Sequence, residues 1–99
     1  MELTIGSKVI LTRAMLNEQV GSIGFVFSEY PDFDDDSKIG VQIIFQNGSF
    51  DGFSDEEQHL YLEDLGVDSR YQCYEFNNVN QVDRDFRKGY WSFDDRHDL

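Results

Sequence analysis

The pair Asn47-Gly48, set between apolar stretches at residues 41–46 and 49–53, constrains this chain more than any other feature. Asn-Gly between two strands is the preferred type I′ hairpin turn, because both central residues of that turn need positive φ. A two-residue loop sets Gln46 against Ser49, Phe45 against Phe50 and Ile44 against Asp51. Val41, Ile43, Phe45 and Phe50 then share one face. Ile44, Asp51 and Phe53 share the other, which the charge marks as the wetter one.

The flanking sequence extends the β pattern. Residues 8–13 are aliphatic and β-branched and read as a first strand. Residues 14–20 form a loop or one helical turn. Ile23, Phe25 and Phe27 alternate with Gly24, Val26 and Ser28, which predicts a second strand with the first three facing inward. Residues 30–37 read as a loop, since Pro31 and the Asp cluster oppose regular structure. Ser54-Asp55-Glu56-Glu57 has the form of a capping box and predicts a single helical or 3₁₀ turn. Leu60-Tyr61-Leu62-Glu63 reads as a fifth short strand, closed by Gly66. Beyond it, residues 70–76 look like a further strand. Asn80 is placed to cap a short helix over 81–88, where Val82 and Phe86 share a face, Asp83 and Arg87 pair, and Gly89 is the stop. Tyr90-Trp91-Ser92-Phe93 is expected to return to a sheet edge, and residues 94–99 read as a loose tail.

Short strands spaced by turns predict a mainly β chain: a small antiparallel barrel at 1–68, a strand-helix-strand extension at 69–93 packed on it, and a tail at 94–99. Gly6-Ser7-Lys8-Val9, Gly21-Ser22-Ile23-Gly24-Phe25-Val26, and the hairpin leading to Ser54-Asp55-Glu56-Glu57 and Tyr61-Leu62-Glu63 together resemble an SH3-like small barrel of the KOW or Tudor type. The resemblance covers residues 4–66. In size and layout the chain also resembles small uncharacterised bacteriophage-type proteins. The KOW likeness implies contact with RNA or with polymerase-associated proteins.

Charge decides between those two. The chain of 99 residues carries −12, and the stretch 29–68 holds twelve acids against Lys38 alone, or −11 of it. Nucleic acids and anionic membranes are recognised through Lys and Arg, of which this stretch has only Lys38. The natural complement is a basic surface on another protein, including one that ordinarily holds nucleic acid. Simple solubility is the competing explanation of the charge. A lone Cys73, no apolar run of membrane length and no signal-peptide layout place the chain in the cytoplasm by expectation. Cys73 falls in the expected strand at 70–76 and is read as inert and partly buried.

Few residues point to chemistry. Asp32-x-Asp34-x-Asp36 has the spacing of a calcium loop, but its sixth and twelfth positions are Ser37 and Ile43 where Gly and Glu are wanted. It is read as a solvated acidic loop, with weak binding of a divalent cation as the alternative. The carboxylates sit on loops and helix starts, where water keeps them alike, so acid–base catalysis has no poised pair. His59 reads as surface. His97 with its neighbouring Asp residues falls in the tail. The expectation is a non-enzymatic module with no cofactor. Its partner-binding residues are Asp32, Phe33, Asp34, Asp35, Asp36, Asp51, Phe53, Asp55, Glu56 and Glu57, with the aromatics as anchors rimmed by charge. Such a module acts as a regulator or a nucleic-acid-mimicking inhibitor. A structural or assembly component is the alternative, and a metal-dependent enzyme comes last.

Overall fold

A computed structural model gives the structure of residues 3–15, 18–31 and 37–93. Five antiparallel strands form one sheet: β1 (Ser7–Leu11), β2 (Ile23–Pro31), β3 (Ile39–Phe45), β4 (Phe50–Phe53) and β5 (Leu62–Val67). Helix α1 (Asp55–Tyr61) joins β4 to β5, and α2 (Val79–Arg87) lies in the C-terminal part. The strand order is β4-β3-β2-β1-β5, so each edge strand is separated from the other by the full width of the sheet. β2 shifts register against β3 between Val26 and Ser28, and β1 shifts against β5 between Lys8 and Val9. Such irregularities bend and twist a strand, which lets a sheet curl around its contents.

The curled sheet buries both faces. On one side Leu3, Val9, Leu11, Val26, Val41, Ile43, Phe45, Phe53 and Leu62 form a core drawn from every strand. On the other, Phe25, Phe27 and Ile44 pack with Tyr71, Tyr74, Val82 and Trp91 from the C-terminal part. This corrects the expectation for β2. Val26 points into the core shared by all five strands, while Phe25 and Phe27 point away from it into an aromatic layer. Burial on both faces explains why residues 23–27 are apolar almost without interruption.

The hairpin register differs from the expected one by a residue. Ile44 pairs with Phe50, Ile43 with Asp51 and Val41 with Phe53. The amide of Gly48 donates to the Phe45 carbonyl at 2.8 Å, and the Phe45 amide donates to the Ser49 carbonyl at 2.9 Å, so the loop has three residues, 46–48. Gly48 alone takes the left-handed conformation, at φ 88°, whereas a type I′ turn needs Asn47 there too. Asn47 uses its side chain instead: Oδ1 accepts the Ser49 amide at 3.0 Å. The extra loop residue slides β4 by one and turns each of its side chains to the opposite face. Phe50 therefore joins the aromatic layer, and Phe53 enters the inner core.

Around α1 the capping box forms as expected. Ser54 Oγ accepts the Glu57 amide at 3.2 Å, and Glu57 Oε1 accepts the Ser54 amide at 2.9 Å. The helix runs two turns rather than one. Its buried Gln58 donates to the carbonyls of Ile39 and Phe53 at 2.9 and 3.2 Å, fastening the helix between β3 and β4.

Residues 70–76 form turns and not the expected strand. Their two tyrosines point into the aromatic layer, and that tertiary demand overrides a β-rich composition. Cys73 is correspondingly exposed instead of partly buried. α2 begins two residues before its expected start, with Asn78 Oδ1 accepting the Gln81 amide at 3.2 Å. The Asp83–Arg87 pair forms at 3.0 Å, and Gly89 closes the helix, its amide bonded to the Phe86 carbonyl. Residues 90–93 do not reach a sheet edge; Trp91 and Phe93 pack over Phe25 on the sheet's face. The expected tail at 94–99 lies outside the described residues.

Candidate functional site

Two groups of carboxylates stand out. The first lies on α1 and β5. Asp55, Glu56 and Glu57 occupy the first helical turn, where the positive end of the helix favours them. Glu63 and Asp64 follow on β5 and are exposed, as are Glu56 and Glu57. Asp64 Oδ1 accepts the Gly66 amide at 2.8 Å, which fixes it at the turn of the strand. Among the described residues, Glu56, Glu57, Glu63 and Asp64 pair with no Lys or Arg. Asp55 lies 3.9 Å from the His59 imidazole.

Three acids further along the chain, Asp68, Asp83 and Asp85, are treated differently. Asp68 meets Arg70 at 2.6 Å, and that guanidinium, helped by Lys8, holds its carboxyl below the usual range. Asp83 meets Arg87, and Asp85 accepts the Tyr74 hydroxyl at 2.7 Å. Among the described residues the unpaired acids thus include four on α1 and β5, with Glu75 standing apart from them in the C-terminal part.

Beside α1 a cleft of about 450 Å³ opens, with Leu3, Ile39 and Gln58 along it and Glu29, Lys38 and Asp55 at its polar margin. Glu29 Oε2 accepts the Thr4 hydroxyl at 2.9 Å and the Ile5 amide at 3.2 Å, so this carboxylate is already bound to the N-terminal segment. Ser37, the residue that follows the acidic stretch 32–36, also lines the cleft. Asp32, Phe33, Asp34, Asp35 and Asp36 themselves lie outside the described residues.

The second group is a close pair. Glu18 is only 4 % exposed and holds the hairpin loop: Oε1 accepts Asn47 Nδ2 at 3.2 Å, and Oε2 accepts the Ser49 hydroxyl. Asp51 lies against it. Burial, a hydrogen bond to Glu18 and the charge of Glu18 push the Asp51 carboxyl up to about 6. Its Oδ2 is buried and has no hydrogen-bond partner among the described residues.

The structure therefore redistributes the expected binding residues. Asp55, Glu56 and Glu57 stand together at the surface end of α1. Asp51 is removed from that face, because the shifted register turns it toward Glu18. Phe53 has 0 % exposure and belongs to the core, so it is not a surface anchor. Sequence reasoning passed over Glu63 and Asp64, although both lie in the acidic stretch, because strand residues there were weighed for burial. It also missed Glu18, whose partners lie about thirty positions downstream and leave no local signal.

Comparison of the chain with protein-family models, with curated proteins and with solved structures gave no match. Among the described residues no three His, Cys, Asp or Glu side chains converge as a metal-holding group, and no helix is long and apolar enough to cross a membrane.

Proposed function

We propose that this chain is an SH3-like barrel acting as a non-enzymatic binding module, which docks its α1–β5 carboxylates on a basic surface of a partner protein. The strand order and the helical turn between the last two strands support the barrel, since that order with a short helix before β5 is how such small barrels are built. The observation that carries the binding role is the contrast in pairing. Asp68, Asp83 and Asp85 have a cation or a hydroxyl against them, whereas Glu56, Glu57, Glu63 and Asp64 are exposed with none. Unpaired like charges on neighbouring elements raise the local potential, steer a cationic partner and penalise an anionic one. A partner surface that normally holds nucleic acid fits this description, and the module then works as an inhibitor or regulator with carboxylates in the place of phosphates.

The test is capture of partners from a lysate at low salt, by the native chain and by a Glu56→Gln, Glu57→Gln, Glu63→Gln, Asp64→Asn variant. The native chain is expected to retain a basic protein that leaves in a salt gradient and that the variant does not hold. Equal capture by both proteins contradicts the proposal.

One observation favours an assembly role instead. β5 is an edge strand whose Leu65 and Val67 are 40 % and 50 % exposed, and a free edge can pair with another strand. The same strand carries Glu63, Asp64 and a register shift against β1, devices that discourage such pairing. The docking role is the better supported of the two.

A further inference from the structure

Asn47-Gly48 does more than turn the β3–β4 hairpin. The chain has five asparagines, Asn17, Asn47, Asn77, Asn78 and Asn80, and Asn47 alone is followed by glycine. A glycine nitrogen has no side chain beside it, so a neighbouring group can approach closely. The carboxamide of the preceding residue is such a group. When the Gly48 nitrogen attacks Asn47 Cγ, the N–Cγ bond closes a five-membered ring, the amide proton goes to water and Nδ2 leaves as ammonia. Water then opens this succinimide. Addition at Cγ gives aspartate, and addition at the main-chain carbonyl gives isoaspartate, in which the backbone runs through the former side chain. Water is the only co-reactant, and Asn47 is exposed to it.

The closed hairpin engages the groups that must react. The Gly48 amide donates to the Phe45 carbonyl at 2.8 Å, so the attacking nitrogen is held in the turn. Asn47 Oδ1 accepts the Ser49 amide at 3.0 Å, and Nδ2 donates to Glu18 Oε1 at 3.2 Å. A succinimide has neither the Gly48 N–H nor Nδ2. Ring closure therefore deletes the bond to Phe45 and the bond to Glu18 together. The reaction belongs to molecules whose hairpin loop has opened, and the closed loop slows it.

Neither product suits the closed loop. Aspartate at position 47 sets an oxygen where Nδ2 stood, against Glu18 Oε1. Glu18 is buried, and among the described residues no Lys, Arg or His pairs with it. Two acceptors of like charge then meet where water screens them little. Isoaspartate adds one atom to the main chain inside the three-residue loop that sets the register of β4. We propose that Asn47 is a self-modifying site: on opening of the hairpin loop the Gly48 nitrogen expels ammonia from its side chain, and the carboxylate that results unfastens the hairpin from Glu18. The change is one-way and adds a negative charge, so it accumulates with the time the loop spends open. It does not draw on the docking role of α1 and β5.

Peptide mapping by mass spectrometry, after incubation in mildly alkaline buffer with and without urea, tests the reaction. Conversion is expected at Asn47 ahead of every other asparagine, as a mixture of aspartate and isoaspartate, and roughly tenfold or more slower without urea. Conversion as fast in buffer as in urea, or led by another asparagine, overturns the site. Asn47→Asp isolates the consequence, because it keeps the acceptor for the Ser49 amide and changes only the group that faces Glu18. Its melting temperature is expected to fall by roughly 4 °C or more. Adding Glu18→Gln supplies a donor to the new carboxylate and is expected to restore most of that loss. A melting temperature for Asn47→Asp equal to the native one, or a loss that Glu18→Gln leaves in place, overturns the unfastening.

Discussion

The indole of Trp91 stacks on the ring of Phe25, with centroids 5.9 Å apart and planes inclined by 27°. The stretch after α2 is thereby fastened to the middle of β2. Tyr71 reinforces the joint: its hydroxyl donates to the Tyr90 carbonyl at 3.2 Å and accepts the Ser92 amide at 2.8 Å. This layer covers the sheet face opposite the inner core, and the C-terminal part is a second wall of the fold.

Trp91 is 5 % exposed, yet its Nε1 is buried with no hydrogen-bond partner among the described residues. Trp91→Phe removes that unpaired donor along with some ring area, so its cost is expected to stay within about 1.5 kcal/mol. Trp91→Ala empties the layer and is expected to cost about 3–5 kcal/mol. Chemical denaturation of the two variants checks the order. Equal losses would mean that the ring's packing on Phe25 does not matter.

Gly48→Ala is expected to destabilise by more than about 1 kcal/mol, because its φ of 88° strains any side chain. The added methyl group also meets the Phe86 ring. A melting temperature at or above the native value would show that the three-residue loop is not what sets the register of β4.

Most of the strand layout is legible in the sequence because it depends on local preferences. The β-branched and aromatic residues of 23–27, the capping box at Ser54 and Glu57, and the stop at Gly89 all act over a few positions. The failures depend on contacts made across the chain. Asn47-Gly48 correctly marks a hairpin, but one residue of loop length separates two registers, and packing chose between them. Residues 70–76 have strand composition, yet Tyr71 and Tyr74 are needed against Trp91 and the segment turns to deliver them. Of the candidate site, the acids of α1 were legible through the capping motif, whereas the inward turn of Asp51 and Phe53 followed from the register.

Ser54→Ala removes the acceptor for the Glu57 amide, while the residue-54 amide that donates to Glu57 Oε1 is kept. A loss of about 1 kcal/mol is expected. Ser54→Asp keeps the cap and should lie within a few tenths of the native stability. Urea midpoints for both variants measure this, and a loss for Asp as large as that for Ala would contradict the capping role.

The Tyr74 phenol is pushed above its ordinary value, first by burial and then by its hydrogen bond to Asp85 and that group's charge. Raising an acid's value in the folded state adds stability below the unfolded value near 10, which is lost as the pH climbs above it. The native chain is therefore expected to weaken steeply above pH 10, and Tyr74→Phe less so. Thermal melts from pH 8 to 11 read the difference. Parallel curves for the two proteins would show that Tyr74 ionises as freely folded as unfolded.

Affinity for the captured partner as a function of salt tests the docking of the α1–β5 carboxylates most directly. Between 50 mM and 500 mM sodium chloride the account predicts a fall in affinity of roughly tenfold or more, carried largely by the association rate. The variant lacking the charges of Glu56, Glu57, Glu63 and Asp64 should bind weakly at both concentrations. An affinity that holds constant across that range in the native chain contradicts the claim.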